Sequence, residues 1–250
     1  FEYSYLSGDG AKLPEVINES VTNDSSQKKG NGNVALAGYN QAPAYIPFGT
    51  CTKGNIPVEE GDDNDEEDKV NCAYYAFEDL GTVGDYDFND VVLKVSHASG
   101  DPQATVELVA AGGTLATAVR YGNEVLWNEV HEAFGVDLST MVNTGRGNPA
   151  KTPEKKTISV SSDANFSDLR FSITVTYSDG VSTNTVNSVP STGDAPQYLC
   201  APGDWKWPKE NVKITTAYGT EGHSFEEWSQ NANNATDWYN YPMSGMVFEQ

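Results

Sequence analysis

Residues 77–92 read FEDLGTVGDYDFNDVV, and they decide the fold because they join two apolar segments through one acidic, glycine-bearing turn. The turn holds five carboxylates and one carboxamide: Glu78, Asp79, Asp85, Asp87, Asp90 and Asn89. Carboxylates crowded in this way repel one another, so an ordered turn requires a compensating positive charge. Calcium provides that charge, because it binds about six to eight oxygen ligands at about 2.3–2.6 Å. The sequence therefore predicts a structural calcium (Ca2+) site in this turn.

The spacing Asp85-x-Asp87-x-Asn89 is typical of the start of a calcium loop, since alternate side chains converge on one point. The helix–loop–helix calcium motif is excluded, because it requires Gly and Glu where this chain has Asp90 and Ser96. We predict a loop between strands, with all the acids and the Asn of the turn as candidate ligands. The alternative is that some of them only cap backbone N–H groups, although five acids exceed what a turn requires. Magnesium and zinc are disfavoured by this ligand set.

Short strands on both sides of the turn predict an all-β fold. Residues 72–77 and 91–96 are apolar strand candidates, and residues 169–177 alternate between apolar and polar side chains. Gly122 and Asn123 form a two-residue hairpin turn between two further strands. We predict an antiparallel β-sandwich, jelly-roll-like, with one or two short helices and a C-terminal aromatic cap. Tyr86 and Phe88 alternate with the acids and are predicted to point into the core.

Two short helices are predicted from their caps. The first lies within residues 128–135, with Asn128 as its N-cap and Gly135 at its C-terminal end. The second begins at Ser224, which forms a capping box with Glu227.

The predicted organisation is a polar N-terminal segment, residues 1–45, packed on a single β-sandwich domain, residues 46–250.

An acidic block at residues 59–68 has eight acids in ten positions. It is interpreted as a solvated loop, with a second calcium site as the alternative.

Composition restricts the partners of the chain. Its 250 residues carry a net charge of −21, which disfavours nucleic acid and anionic lipid surfaces, because these require clustered Lys and Arg. Cations and uncharged polymers such as glycans remain compatible.

The chain opens at Phe1 without a signal-like segment, and we expect a mature fragment whose export signal has been removed. Membrane attachment is then expected only through a removed N-terminal lipid anchor.

The cysteines and histidines carry no zinc or catalytic pattern. The favoured interpretation is that Cys51, Cys72 and Cys200 are all buried thiols, and the alternative is one disulfide between Cys51 and Cys72. His131 is interpreted as a structural polar contact. We expect no catalytic residues, because the acids occupy consecutive turn positions rather than the two opposed positions of a glycosidase.

The tail is rich in aromatic residues. Trp205, Trp207, Trp228 and Trp238 are candidates for a sugar-stacking platform, and the favoured alternative is that they fasten the C-terminal cap to the sandwich.

Several of these motifs together resemble the LruC domain family. The opening motif of that family is similar to residues 77–80 and 85–92, and EVHEAFG at 129–135 and DWKWPKE at 204–210 follow in order. Ile214-x-x-Ala217-Tyr218, Phe225-x-x-Trp228 and Trp238-Tyr239 complete the series. The chain departs from the family at Gly219, where the family often has Pro, and in an insertion before Phe225.

The resemblance implies an exported protein of Gram-negative, Bacteroidetes-type bacteria, lipid-anchored at the outer-membrane surface or periplasmic, with a C-terminal domain of unknown function. It implies no catalytic activity. The leading hypothesis is a calcium-binding, extracytoplasmic surface interaction or adhesion module with an unknown partner. The second is a carbohydrate-binding module that uses the tail aromatics, and the third is a hydrolase.

Overall fold

The computed structural model describes residues 49–50, 70–80, 84–145, 152–188 and 197–249. The predicted N-terminal segment, the acidic block at residues 59–68 and Cys51 lie outside the described residues. Among the residues that are described, no helix is long and apolar enough to span a membrane.

The described residues include ten strands in two antiparallel sheets, which confirms the predicted all-β sandwich. The strands are β1 (Gly49–Thr50), β2 (Val70–Phe77), β3 (Val91–Ala98), β4 (Gln103–Ala110), β5 (Ala116–Tyr121), β6 (Glu124–Trp127), β7 (Lys156–Ser159), β8 (Phe171–Thr176), β9 (Thr183–Asn187) and β10 (Tyr198–Pro202). The first sheet has the order β1-β2-β3-β4-β7. Strand β10 also pairs with β2, on the same side of β2 as β1 but along a different part of the strand. The second sheet has the order β6-β5-β8-β9.

The first sheet is buried on both faces, because successive side chains of a strand point to opposite sides. From β2, Tyr75 and Phe77 enter the sandwich core between the two sheets, where they join Leu93 and Ile173. Tyr74 of the same strand enters a second cluster on the opposite face. We call this second cluster the cap core, since the other side of it is formed by residues 203–249, the cap. Each large apolar side chain buried in this way contributes about 1.5–3 kcal/mol.

Three short α-helices are present in the described residues, where one or two were predicted: α1 (Val130–Phe134), α2 (Ile214–Ala217) and α3 (Phe225–Gln230). The N-cap of α1 is Glu129 rather than the predicted Asn128, because the Glu129 carboxylate accepts the backbone N–H of Glu132 at 2.5 Å. The capping box of α3 between Ser224 and Glu227 is confirmed, as is the left-handed Gly135 at the end of α1.

Cys72 takes part in a disulfide, whereas Cys200 is a buried free thiol. The partner of Cys72 lies outside the described residues. The favoured interpretation, in which all three cysteines are thiols, is therefore wrong.

Candidate metal centre

The acidic loop, residues 78–90, connects two neighbouring antiparallel strands. Phe77 at the end of β2 is paired directly with Val91 at the start of β3, so the sheet fixes both ends of the loop. Residues 81–83 within it are not described. The structure therefore holds Glu78 and Asp90 close to each other, although twelve positions separate them in the sequence.

Glu78, Asp85 and Asp87 converge on one point. Each offers a carboxylate oxygen, and these oxygens lie within 4.8 Å of one another. Two oxygens that each lie about 2.4 Å from the same calcium ion are at most about 4.8 Å apart. The spacing of the three carboxylates therefore suits a shared cation of this size.

Asp87 is the most informative of the three, because its carboxylate is buried and only one of its two oxygens accepts a hydrogen bond from the residues that the structure describes. The residue is 1% exposed, and its Oδ2 accepts the backbone N–H of Asn211 at 2.8 Å. Among the described residues no group donates a hydrogen bond to its Oδ1, which is buried, and the side chain that approaches Asp87 is another carboxylate, that of Asp85. A buried carboxylate oxygen that lacks a partner is costly, and a bound cation is one of the few groups that satisfy it.

Glu78 is buried to the same degree, with 1% exposed. Its Oε1 accepts the backbone N–H of Phe88 at 2.6 Å, a bond that crosses the loop. Gly84 has a φ of +58°, and an added Cβ there would lie 2.7 Å from Glu78 Oε2. The loop thus needs glycine at this position for its conformation and for the close approach of the carboxylate.

Four carboxyl groups of the loop have raised pKa values, so it is unfavourable for all four to be negatively charged at once. Burial, followed by the nearby carboxylates, raises the pKa of Glu78 well above its usual range. Burial and the charge of Asp85 raise the pKa of Asp87 to about 8. Burial also raises the pKa of Asp79 to about 6 and that of Asp90 well above normal. The cluster therefore retains protons near neutral pH unless a cation replaces them.

The other predicted ligands lie beside the convergence point rather than in it. Asn89 is fully buried, and its Nδ2 donates to the Pro208 carbonyl at 3.1 Å, while its Oδ1 has no hydrogen-bond partner in the part of the chain that the structure describes. Asp90 accepts the backbone N–H of Asp79 at 2.8 Å through Oδ2. Asp79 and Asp90 thus form a second carboxylate pair at the strand ends.

His131 supports this second pair. Its Nδ1 lies 2.8 Å from Glu129 Oε1, and its Nε2 lies 2.9 Å from the Gly113 carbonyl. Burial lowers the pKa of His131, but these two hydrogen bonds outweigh it and the pKa is raised overall. The predicted structural polar contact of His131 is confirmed, and its positive charge lowers the pKa of Asp79 in opposition to burial.

Sequence reasoning missed two glycines that make room for the loop. An added Cβ at Gly112 would clash with Asn89 Oδ1 and would lie 2.8 Å from the Asn89 carbonyl oxygen. An added Cβ at Gly113 would clash with Asp79 Oδ2. The available signal was a glycine pair directly after an apolar strand, which often marks a close backbone approach.

Tyr86 and Phe88 are buried as predicted, but in the cap core rather than between the sheets. Both have left-handed φ angles, of 63° and 52°, which are unusual for aromatic residues. Such a conformation costs about 1–3 kcal/mol per residue and persists only where the surroundings enforce it. Two of the converging carboxylates and the two aromatic anchors thus alternate along one short segment, residues 85–88.

The four tail tryptophans are at most 1% exposed. Trp207 donates from Nε1 to the Asn143 carbonyl at 2.6 Å and stacks on Phe248. Trp228 and Trp238 pack against each other with ring centroids 5.5 Å apart. Their burial argues against a sugar-stacking platform and agrees with the alternative in which they fasten the cap.

Comparisons of the chain with protein-family models, with curated proteins and with solved structures find no match. The LruC-type resemblance therefore stays a prediction.

Proposed function

We propose that this chain binds a calcium ion through Glu78, Asp85 and Asp87, and that the ion is a structural component of a non-catalytic, extracytoplasmic interaction module. The observation that carries the proposal is the buried Asp87 carboxylate, whose Oδ1 receives no hydrogen bond from the described residues and which converges with Glu78 and Asp85 to within 4.8 Å. A cation at this point satisfies that oxygen and neutralises the repulsion within the loop.

The ligand chemistry favours calcium over other cations. The converging groups are all carboxylates, and hard oxygen ligands select calcium or magnesium rather than zinc. Magnesium keeps several waters and is usually held by one or two carboxylates, whereas three converge here. Asp85 is more exposed than Glu78 and Asp87, so water can complete the coordination on its side.

Two observations support a role as an extracytoplasmic structural module. The disulfide at Cys72 is typical of proteins that fold in an oxidising compartment. Glu78 and Asp87 each receive a backbone hydrogen bond and point to the same place, which suits coordination better than opposed acid and base roles. The proposed partner is a surface ligand of unknown identity that tolerates an acidic protein.

Calcium titration by calorimetry, after removal of metal with chelator, tests the proposal. We expect Asp87→Asn to weaken calcium affinity by about tenfold or more, equivalent to about 1.4 kcal/mol, because it removes a negative charge from the site. The substitution can keep the acceptor for the Asn211 N–H, so the loop retains its hydrogen bond.

The matched control is Asp137→Asn, which makes the same change at an exposed turn after α1. We expect this control to bind calcium as the unsubstituted chain does. Equal affinities for Asp87→Asn and Asp137→Asn would contradict the proposed site.

A further inference from the structure

The acidic loop is bonded directly to the cap. Hydrogen bonds between described residues join them: Asn89 Nδ2 donates to the Pro208 carbonyl (3.1 Å), the Asn211 N–H donates to Asp87 Oδ2 (2.8 Å), and the Ile214 N–H donates to the Tyr86 carbonyl (2.8 Å). Each bond connects a loop residue with residues 208–214, the first part of the cap that reaches the loop. The conformation of the loop therefore determines whether this part of the cap can dock.

The loop also supplies aromatic anchors to the cap core. Tyr86 and Phe88 pack against each other with centroids 5.2 Å apart, and Tyr86 packs edge-on against Phe225 of α3 at 6.3 Å. Both anchors have left-handed backbone conformations that a relaxed loop would abandon. Relaxation of the loop would thus withdraw two buried rings from the cap.

Like charges face each other across the boundary between loop and cap. Glu210 lies next to Asn211, whose Nδ2 donates to Glu210 Oε1 at 2.9 Å. Glu210 is close enough to Asp87 for its charge to be among the causes that raise the pKa of Asp87, after burial and Asp85. Where the loop acids lose their protons without gaining a cation, they and Glu210 repel each other, and the repulsion acts to separate the cap from the loop.

We infer that the cation acts as a latch that holds the cap on the first sheet, and that its removal releases the cap before the two sheets separate. This inference rests on the proposed calcium site and adds a regulated element to it. Release would expose the apolar face of the first sheet that Tyr74 and Leu199 occupy. The sandwich core lies on the other face of that sheet, and its described residues come from neither the acidic loop nor the cap.

Tryptophan fluorescence can report on the cap alone. The chain has five tryptophans, of which Trp127 lies in the sandwich core and the other four lie in the cap core. In Trp127→Phe, every remaining indole belongs to the cap. We expect chelation to raise the acrylamide quenching constant of this full-length variant severalfold, and calcium to restore the low value.

Hydrogen exchange supplies the matching probe of the sandwich. We expect chelation to speed the exchange of the amides of Asn211, Ile214 and Phe248, which bond within the cap or to the loop. The amides of β5 and β8 in the second sheet should stay protected at the same chelator concentration. Protection of the cap amides should return at the calcium concentration that restores the fluorescence.

A substitution in the cap tests the repulsion. Glu210→Gln removes the charge that faces the loop, and we expect a smaller difference in quenching between the chelated and calcium-loaded states. Glu221→Gln, an exposed cap residue, is the control and should leave that difference unchanged. An unchanged difference in Glu210→Gln would contradict the repulsion across the boundary.

The outcomes separate the latch from the site. If calorimetry detects calcium binding but cap quenching and exchange do not respond, or if cap and strand amides lose protection together, the latch is overturned and the site stands. If calorimetry detects no calcium binding, the proposed site and the latch both fail.

Discussion

In metal-free buffer, the chain is expected to become less stable as the pH rises from about 4 to about 8. Burial raises the pKa of Asp87 to about 8 and that of Asp79 to about 6 in the folded protein, against an ordinary value of 3.8. Between the ordinary and the raised values the folded state binds more protons than the unfolded state. Stability contributed by these groups is therefore present at low pH and is lost as the pH rises.

Saturating calcium is expected to reverse this slope. A bound cation displaces the protons and holds the carboxylates charged, so the folded state then binds fewer protons than the unfolded state over the acidic part of the range. Stability contributed by the site now rises with pH. Urea unfolding at pH 5 and pH 7.5, with and without calcium, measures both slopes.

The difference between the two slopes is the informative quantity, because groups away from the loop titrate similarly in both conditions. In Asp87→Asn we expect that difference to shrink. Identical slopes with and without calcium would show that the loop carboxylates do not exchange protons for the cation.

Trp238→Ala is expected to cost about 3–5 kcal/mol of unfolding free energy, as the loss of a fully buried large aromatic side chain does. Trp238 lies at the centre of the cap core, with ring centroids of Tyr218 and Phe225 each 5.0 Å away. Its removal leaves a cavity between the rings that fasten the cap. Equilibrium unfolding in urea measures the loss.

Tyr241→Ala provides the contrast, since Tyr241 lies nearby in the chain but is 39% exposed and stacks only on His223 among the described rings. A surface substitution of this kind is expected to change stability by about 0.5 kcal/mol or less. A small effect of Trp238→Ala would contradict its role as a fastener of the cap.

Local patterns were enough to predict much of the architecture. Alternation predicted the strand that became β8, and the Gly122-Asn123 pair predicted the hairpin between β5 and β6, because both signals are confined to a few neighbouring residues. The Asp85-x-Asp87 spacing and the strand end at Glu78 likewise supplied the three carboxylates that converge.

Long-range contacts could not be predicted in this way. Asn89 was a candidate ligand, but its amide donates to Pro208, 119 residues away, and no local pattern contains that contact. The cap core on the second face of the first sheet was missed for the same reason. The apolar residues of β2 and β3 predict burial, but they do not predict which later segment of the chain covers them. The N-cap of α1 is Glu129 and not the adjacent Asn128, because the Glu129 side chain accepts the hydrogen bond from the helix.

Thermal unfolding of the chelator-treated chain, in metal-free buffer and then in calcium or magnesium, tests the structural cation most directly. At a calcium concentration of about one hundred times Kd, linkage adds about 2.7 kcal/mol, which corresponds to a rise in Tm of about 5–10 °C for a chain of this length. We expect that rise with calcium and a much smaller one with magnesium. The same Tm in all three conditions would contradict a structural calcium ion in the loop of residues 78–90.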